Sequence, residues 1–208
     1  PFTDYRMPKM TTMKFLLLLM VVELTLLHRS EGDAWWHKPH KPHCDSSRPP
    51  GFNWANQWQQ TFVYSCPKGS SLSRWYSIHR NCKEDRIHYF QCRYGPVAYH
   101  AGNCWWTNHY VNDYDRPVAF KCHNNGFLTG VRSEYSGPHK DRRFGFRCCQ
   151  KPGYYQHFCK LTPILNVWDG VLDYNVPFGY SLVGVHSYHD NNYEDRRWKF
   201  EICKITKP

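Results

Sequence analysis

Apolar and charged residues alternate most strictly near the C-terminal end of the chain. Between residues 197 and 202, Trp198, Phe200 and Ile202 are apolar and the residues around them are charged. A period of two is typical of a β-strand with one buried face and one solvent-facing face. An Asp-Arg pair opens this strand and occurs twice upstream with aromatic residues after it. The pattern therefore predicts three similar strands.

These strands belong to an internal repeat with constant spacings. Each repeat has an Asp-Arg pair, a Ser eight residues before the Asp, a Leu five residues before the Ser, and a Phe five residues after the Asp. The residues are Leu72, Ser77, Asp85 and Phe90, then Leu128, Ser133, Asp141 and Phe146, then Leu182, Ser187, Asp195 and Phe200. Such regularity indicates one supersecondary unit used three times.

Each repeat predicts a hairpin that is preceded by a short aromatic strand and a turn containing glycine. Helical periodicity is absent after the N-terminal segment, and Gly, Pro and Asn punctuate the chain. We predict an all-β, disulfide-rich single domain of three related hairpin-like repeats, for which a pseudo-threefold arrangement is one assembly.

A long apolar run occurs only near the N-terminus, where it follows Lys14 and is interrupted by one Glu. A cation before a short apolar core is typical of a secretory signal, and the run is too short for a comfortable membrane span. We predict a leader with a signal peptide over residues 1–32, a basic His- and Pro-rich arm over 33–51, and a folded domain over 52–208. The mature protein is expected to be secreted.

Ten cysteines follow the predicted leader. An even number in a secreted chain predicts a disulfide framework, which would leave no free thiol for catalysis. A zinc site is the alternative, but the chain has no Cys-x-x-Cys pair. The cysteines are Cys44, Cys66, Cys82, Cys92, Cys104, Cys122, Cys148, Cys149, Cys159 and Cys203.

The basic arm offers a weak metal-binding candidate. His37, His40 and His43 recur at intervals of three and could bind copper or zinc. A solvated basic arm is the simpler interpretation. We therefore predict no metal and no cofactor, and name these histidines only as the alternative.

The formal net charge is +10, which draws a secreted protein to sulfated glycosaminoglycans, sialylated glycans and anionic lipid surfaces. Nucleic acid is not an expected partner outside the cell. Lys140, Arg142, Arg143 and Arg147 cluster in the second repeat. Arg143 and Arg147 should share the face opposite the aromatic residues and point to solvent together. An ordinary solubilising face is the alternative.

Exposed aromatic residues are a second kind of candidate contact. Trp105 and Trp106 are consecutive, so on a strand one of them must face outward, where it could stack on a sugar ring or sit at a membrane interface.

The Asp-Arg pairs have two interpretations: a structural ion pair, or an anion contact by Arg86, Arg142 or Arg196. Metalloprotease, P-loop, dinucleotide and nucleophile-elbow motifs are absent. We predict that the chain is not an enzyme.

Several motifs in order resemble the dermatopontin family over about residues 52–205. They are the Asp-Arg-x-aromatic-x-Phe-x-Cys phrase, the Cys148-Cys149 doublet, Cys104-Trp105-Trp106, and the Cys122-x-Asn-Asn-Gly-Phe segment. His88 and Phe144 depart from the pattern, since the family usually has Trp in these places. The basic balance also departs from the acidic vertebrate members.

The resemblance implies how the cysteines pair. It implies the bridges Cys66–Cys92, Cys122–Cys149, Cys104–Cys148 and Cys159–Cys203. Cys44 and Cys82 remain and could tie the arm to the first repeat. Strand alternation adds one point: Cys92 and Cys148 share a face with the aromatic residues of their strands, whereas Cys203 lies on the other face and should pair differently.

The resemblance also implies a non-enzymatic extracellular protein, since the family includes matrix proteins, agglutinating lectins and cnidarian venom cytotoxins. Two functions stay open. One is a cytotoxin with haemagglutinating activity that binds cell-surface glycans or other polyanions, released from a venom organelle. The other is a matrix adhesion protein that bridges proteoglycan and collagen-like partners. The basic charge favours the first. A membrane surface and a homodimer are further expected partners.

Overall fold

The computed structural model describes residues 44–208, so the predicted leader and residues 33–43 of the basic arm, including His37, His40 and His43, lie outside the described residues. Eleven strands and one short helix, α1 (Pro96–Tyr99), make up the regular structure of this part, which confirms the all-β class. The strands are β1 (Phe62–Ser65), β2 (Ser70–Arg80), β3 (Asp85–Tyr94), β4 (Asn103–Trp106), β5 (Val118–Lys121), β6 (Phe127–Ser136), β7 (Asp141–Gln150), β8 (Tyr155–Leu161), β9 (Leu172–Asn175), β10 (Ser181–Asp190) and β11 (Asp195–Thr206).

Three long antiparallel hairpins, β2–β3, β6–β7 and β10–β11, correspond to the three sequence repeats. In each, the repeated Ser pairs with the residue three positions after the repeated Asp, and the register shifts just after the repeated Leu. The Ser pairs are Ser77–His88, Ser133–Phe144 and Ser187–Trp198. The constant spacings therefore reflect one register used three times.

The short strand before each hairpin pairs with a different hairpin. β1 joins the second hairpin through β6, β5 joins the third through β10, and β9 joins the first through β2. The three sheets therefore have the strand orders β1-β6-β7-β4, β5-β10-β11-β8 and β3-β2-β9. This exchange is cyclic and is compatible with the pseudo-threefold arrangement, which stays a prediction.

The aromatic faces of the three hairpins form one core. The rings of His88, Phe144 and Trp198 are fully buried and meet edge to face, with centroids 5.1–6.4 Å apart. Trp75 packs on Trp198 and donates a 3.0 Å hydrogen bond from Nε1 to Nδ1 of His88. Each fully buried large apolar side chain contributes roughly 1.5–3 kcal/mol. His88, which stands where the dermatopontin family usually has Trp, gains one polar partner inside this apolar cluster, namely Trp75.

Buried ion pairs link the hairpins in the same cyclic order. In each link an arginine donates two parallel hydrogen bonds of 2.5–2.8 Å to the aspartate of another hairpin. The pairs are Arg86–Asp195, Arg142–Asp85 and Arg196–Asp141, and all six side chains are buried. We refer to these three pairs as the ion-pair ring. It supports the structural interpretation of the Asp-Arg pairs.

Three buried asparagines brace the start of each closing strand. Asn56, Asn112 and Asn166 each donate from Nδ2 to the carbonyl of the ring arginine and accept at Oδ1 from the backbone N–H two residues later, at 2.8–3.1 Å. Each side chain thereby satisfies one donor and one acceptor of a strand edge that would otherwise be buried without partners.

Five disulfides use all ten cysteines. Cys66–Cys92, Cys159–Cys203 and Cys44–Cys82 pair as expected. The predicted pairing of the doublet is wrong: Cys148 joins Cys122, and Cys149 joins Cys104.

Strand alternation explains the exchanged doublet. Cys148 lies on the aromatic face of β7 and enters the main core with Cys122. Cys149 lies on the other face and stands directly opposite Cys104 in the β4–β7 pairing, with a Cα–Cα distance of 4.0 Å. Because Cys148 and Cys149 lie on opposite faces of the strand, the pairing that the family resemblance implies would require a shift of register. In the third repeat Val176 and Ile202 are buried in the corresponding places of the core bridge.

Candidate ligand-binding surface

The outer face of the second repeat carries alternating arginine and aromatic side chains. Arg132 lies over the rings of Trp106 and Tyr110 at 5.8 and 5.2 Å, and Arg143 lies over Tyr110 and Tyr114 at 4.9 and 4.8 Å. The ring of His139 stacks on Tyr114 at 4.9 Å. We call these six residues the arginine–aromatic ladder: Trp106, Tyr110, Tyr114, Arg132, His139 and Arg143.

Three neighbouring strands, β4, β6 and β7, and the segment after β4 bring the ladder side chains together. Arg132 projects from β6 and Arg143 from β7, on the face opposite Phe144. Trp106 ends the edge strand β4, and the segment that follows continues along the edge of β7, held by hydrogen bonds from the N–H of Thr107 to the carbonyl of Phe146 and from the N–H of Val111 to the carbonyl of Phe144. The ladder therefore rests on a hydrogen-bonded sheet and not on a free loop.

One carboxylate anchors the ladder. Glu134 accepts a 2.8 Å hydrogen bond from the Tyr114 hydroxyl and a 3.1 Å hydrogen bond from Nη2 of Arg143. These bonds, the tyrosine first, lower the pKa of Glu134, while burial raises the pKa of Tyr110 and of Tyr114. The tyrosines stay protonated at neutral pH. The Tyr114 hydroxyl donates to Glu134, so its oxygen is left as a hydrogen-bond acceptor.

An open depression of about 350 Å³ lies beside the ladder. It is lined by Asn108, His109, Tyr110, Asn112, Asp113, Arg132 and Arg143. Arginine next to an aromatic face is a combination that can hold a sulfate or carboxylate by paired N–H groups while a ring packs against the sugar. The arrangement suits a sulfated or acidic sugar and contains no nucleophile–base pair.

The other predicted basic residues lie elsewhere. Lys140 is at the β6–β7 turn, where Nζ lies 2.8 Å from Glu84 and 3.5 Å from Glu194, and the hydrogen bond to Glu84 raises its pKa. Arg142 belongs to the ion-pair ring and does not reach solvent. The predicted basic cluster is thus divided between a turn, the interior and the outer face.

Arg147 and Arg143 are separated despite sharing a strand face. Arg147 lines a second depression of about 350 Å³, together with Lys68 of the first repeat and Cys104. Arg143 lines the depression beside the ladder. Both guanidinium groups are partly exposed, as the alternation predicts, but they face different cavities.

The two tryptophans have different environments. Trp105 packs against the main core and stacks on His123 at 4.4 Å. Trp106 contacts Arg132 on the outer face. The structure thus identifies Trp106 as the outward member of the pair.

The outer faces of the first and third repeats also carry aromatic clusters with an arginine. In the first, Arg74 lies over Tyr76 at 5.4 Å. The rings of Phe52 and Trp54 pack on Tyr76, and Phe52 also contacts Tyr89. In the third, Arg197 lies over Trp168 at 5.4 Å, and Trp168 contacts Tyr188 and Tyr193. The chain therefore presents three comparable outer faces.

Sequence reasoning missed three ladder residues, Tyr110, Tyr114 and Arg132. A signal for Tyr114 was present, since an aromatic residue follows each bracing asparagine by two positions, as Trp58, Tyr114 and Trp168. Arg132 and His139 have no counterpart of the same residue type in the other repeats.

Two His–Asp–Asp groups have ligand atoms within 4.8 Å of one another, namely His79, Asp169 and Asp195, and His189, Asp115 and Asp141. In each group one carboxylate already belongs to the ion-pair ring. A divalent cation there would meet the positive charge of a fixed guanidinium group, so we assign no metal to either group. The remaining group contains Cys159 and Cys203, which form a disulfide.

The family model described as dermatopontin matches residues 56–207. The chain belongs to the dermatopontin family. It is 37% identical over 154 residues to the hemagglutinin/amebocyte aggregation factor of Limulus polyphemus, covering 73% of this chain and 87% of that protein. It is 35% identical to the dermatopontin of Biomphalaria glabrata, covering 70% of this chain and 95% of that protein.

A third relative of the dermatopontin family is Millepora cytotoxin-1 of Millepora dichotoma, 34% identical over 149 residues, with 72% of this chain and 65% of that protein covered. No solved structure matches the chain. Family membership and five disulfides place the protein among extracellular proteins. Within residues 44–208, no helix has the length and apolar character needed to cross a bilayer.

Proposed function

We propose that this dermatopontin-family chain is a secreted, non-enzymatic protein that binds cell-surface or matrix glycans and other polyanions, and that acts as a cytotoxin with haemagglutinating activity. The observation that carries the proposal is the arginine–aromatic ladder beside its open depression. The net charge of +10 supports it by attracting polyanions over a distance. The names of the Limulus and Millepora relatives, a hemagglutinin and a cytotoxin, favour agglutination and cytotoxicity.

In the proposed complex, Arg132 and Arg143 hold a sulfate or carboxylate group of the glycan, and Trp106 and Tyr110 pack against its sugar rings. The aromatic clusters of the first and third repeats supply further contacts of the same kind. Several weak sites on one particle raise the apparent affinity by orders of magnitude, and they allow one molecule to join two cells. Dimerisation would add to the number of sites.

In this proposal cell binding precedes damage. Disulfides tie together strands from all three sheets, so a large refolding into a membrane-spanning structure would have to break them. We expect agglutination at doses that release no dye from protein-free, glycan-free anionic liposomes. Prompt dye release at low dose would mean direct membrane attack and would contradict this order.

Heparin chromatography and red-cell agglutination test the proposed site. The unmodified protein should be retained on heparin above roughly 0.3 M salt, because binding through several contacts between basic side chains and sulfate groups is strong at low salt and weakens steeply as salt is added. Arg143→Ala should elute earlier and agglutinate less. Lys121→Ala removes an equal charge from a surface pair with Glu201 and serves as the matched control. Flow-through of the unmodified protein at low salt would end the polyanion proposal.

The relatives called dermatopontin, including the human protein at 28% identity, favour a second function, extracellular-matrix adhesion that bridges proteoglycan and collagen-like partners. The two functions use the same anion-binding surface but differ in the target. Secretion from venom-producing or stinging cells supports the cytotoxin, and secretion into connective tissue supports the matrix protein.

A further inference from the structure

Equivalent turns of the three repeats differ in one exposed residue. Each short strand connects to its hairpin through a four-residue turn, closed by hydrogen bonds from Ser70 to Pro67, Gly126 to His123 and Tyr180 to Pro177, at 3.0–3.1 Å. The second turn residue is Lys68, Asn124 or Phe178, in that order. Phe178 is 91% exposed. The first two repeats show that the fold does not need an apolar residue here.

A second exposed phenylalanine lies on β8, the edge strand of the sheet that contains β10, into which the Phe178 turn leads. Phe158 is at a register shift of β8 opposite β11, has a positive φ of 49°, and is 69% exposed. A left-handed backbone is unfavourable for a bulky residue, and bulges of edge strands commonly redirect side chains. The corresponding strand of the second repeat, β4, pairs with β7 without such a shift. The third repeat thus directs Phe158 into solvent although the architecture does not demand it.

Cationic side chains lie beside both rings. The guanidinium group of Arg93 lies 5.9 Å from the Phe178 ring. Nζ of Lys204 lies 5.6 Å from the Phe158 ring and 5.8 Å from the Tyr180 ring, and Nζ of Lys160 lies 5.4 Å from the Tyr180 ring. Neither lysine belongs to any ion pair of residues 44–208. We call Phe158, Lys160, Phe178, Tyr180 and Lys204 the third-repeat patch. The Cys159–Cys203 disulfide holds its two strands together.

We propose that the third-repeat patch docks the protein on an anionic lipid surface. Phe158 and Phe178 enter the interface between headgroups and acyl chains, and Lys160 and Lys204 contact the phosphate and carboxylate groups of the lipids. Exposed aromatic residues next to lysines match the two components of such a surface, its apolar boundary and its negative potential. Docking of two rings and two lysines leaves the bilayer intact, and it is compatible with the absence of early dye release proposed above.

Two other occupants fit less well. A second copy in face-to-face contact would bring the lysines of both patches together, and like charges disfavour such a contact. A sugar ring would gain little from phenylalanine, which lacks the polar group that tyrosine and tryptophan offer. The lipid surface satisfies both the apolar and the cationic side chains of the patch.

Co-sedimentation with vesicles tests the proposal. The full chain should bind vesicles of phosphatidylcholine and phosphatidylserine and bind phosphatidylcholine vesicles weakly. Phe178→Ser should lower the partition coefficient about tenfold, because a phenylalanine ring is no longer buried. Phe158→Asn, which keeps a residue that tolerates positive φ, should do the same. Lys160→Gln with Lys204→Gln should lower it about tenfold on anionic vesicles alone.

Val63→Asn is the matched control, since Val63 is 68% exposed on an edge strand outside the patch; it should bind vesicles normally. Equal binding to both vesicle types, or unchanged binding of the Phe178 and Phe158 variants, would overturn the proposal. Conversion of a dimer to a monomer by Phe178→Ser without vesicle binding would identify a self-interface instead. Heparin retention should not change in the Phe178 and Phe158 variants, which keep every charge, so loss of lipid docking is distinguishable from loss of polyanion binding.

Discussion

The guanidinium group of Arg142 in the second hairpin holds the carboxylate of Asp85 in the first through two hydrogen bonds of 2.6 and 2.8 Å. Gln59 adds a backbone N–H at 2.6 Å to the same carboxylate. The two residues are 57 positions apart in the chain, and both are buried. Removal of either partner would leave a charge inside the protein with no counter-charge, which is far less favourable than losing an exposed pair.

We therefore expect Arg142→Met to lower the free energy of unfolding by about 3–5 kcal/mol, measured by chemical denaturation. The matched control is Arg74→Met, which breaks the more exposed Arg74–Asp173 pair of 2.8 Å; it should lose no more than about 1 kcal/mol. Similar losses in the two variants would show that the ion-pair ring does not stabilise the hairpin assembly.

The disulfide pairing of the doublet can be tested with double variants. Cys104→Ser with Cys149→Ser removes one complete bridge and should give a protein without free thiols. Cys104→Ser with Cys148→Ser breaks two bridges and leaves Cys122 and Cys149 unpaired. Thiol titration under denaturing, non-reducing conditions distinguishes these outcomes. Two free thiols in the first variant and none in the second would restore the pairing that the family resemblance implied.

His88 should make stability fall in mild acid. Burial first, and then the charges of Arg142 and Arg86, lower its pKa well below 6.5 in the folded chain. The unfolded chain binds the proton near pH 6.5 and the folded chain does not, so the free energy of unfolding decreases as the pH falls below that value. The limit is about 1.4 kcal/mol per pH unit.

His88→Phe, which copies the equivalent Phe144, should lose this component of the acid sensitivity. It also loses the hydrogen bond from Trp75, a constant difference of about 1 kcal/mol. Urea denaturation at about pH 7.5 and about pH 5 measures both effects. Identical changes of unfolding free energy between the two pH values in the variant and the unmodified chain would contradict the assignment.

The two tryptophans should separate binding from folding. Trp106→Ala removes an outer ring next to Arg132, so glycan-array signals should fall about tenfold or more with little change of thermal midpoint. Trp105→Ala removes a ring packed against the core and should lower the free energy of unfolding by about 2 kcal/mol. Loss of glycan binding in Trp105→Ala at temperatures where it is folded, with Trp106→Ala unaffected, would reverse the roles.

Much of the hairpin architecture could be predicted from the sequence because register is periodic. The constant spacing from Ser77 to Asp85 and its two repeats predicts the hairpins, since side-chain alternation ties sequence distance to strand pairing. The same alternation predicts the Cys148 side of β7. For the Cys148-Cys149 doublet it is a better guide than the family resemblance, which gave Cys66–Cys92 and Cys159–Cys203 correctly. The bracing asparagines Asn56, Asn112 and Asn166 were also accessible, because each stands 29 residues before the repeated Asp.

The cyclic exchange of β1, β5 and β9 could not be predicted in this way. Each short strand shows the same local pattern whichever hairpin it joins, so the choice depends on tertiary packing. For the same reason the basic cluster was not predictable as a surface. Arg142 and Arg143 are neighbours in sequence, but Arg142 belongs to the ion-pair ring and Arg143 to the ladder. Only the assembled hairpins bring Asp85 next to Arg142.

The strand exchange also sets an order for making the molecule. The first hairpin lacks one neighbour until β9 has been synthesised, and Arg86 must wait for Asp195, 109 residues further along the chain. A nascent chain that contains only the first two hairpins therefore has a sheet edge without its neighbouring strand and an Arg86 side chain without its partner carboxylate. The complete set of sheets and ion pairs can therefore form only after the last strands of the chain have been synthesised.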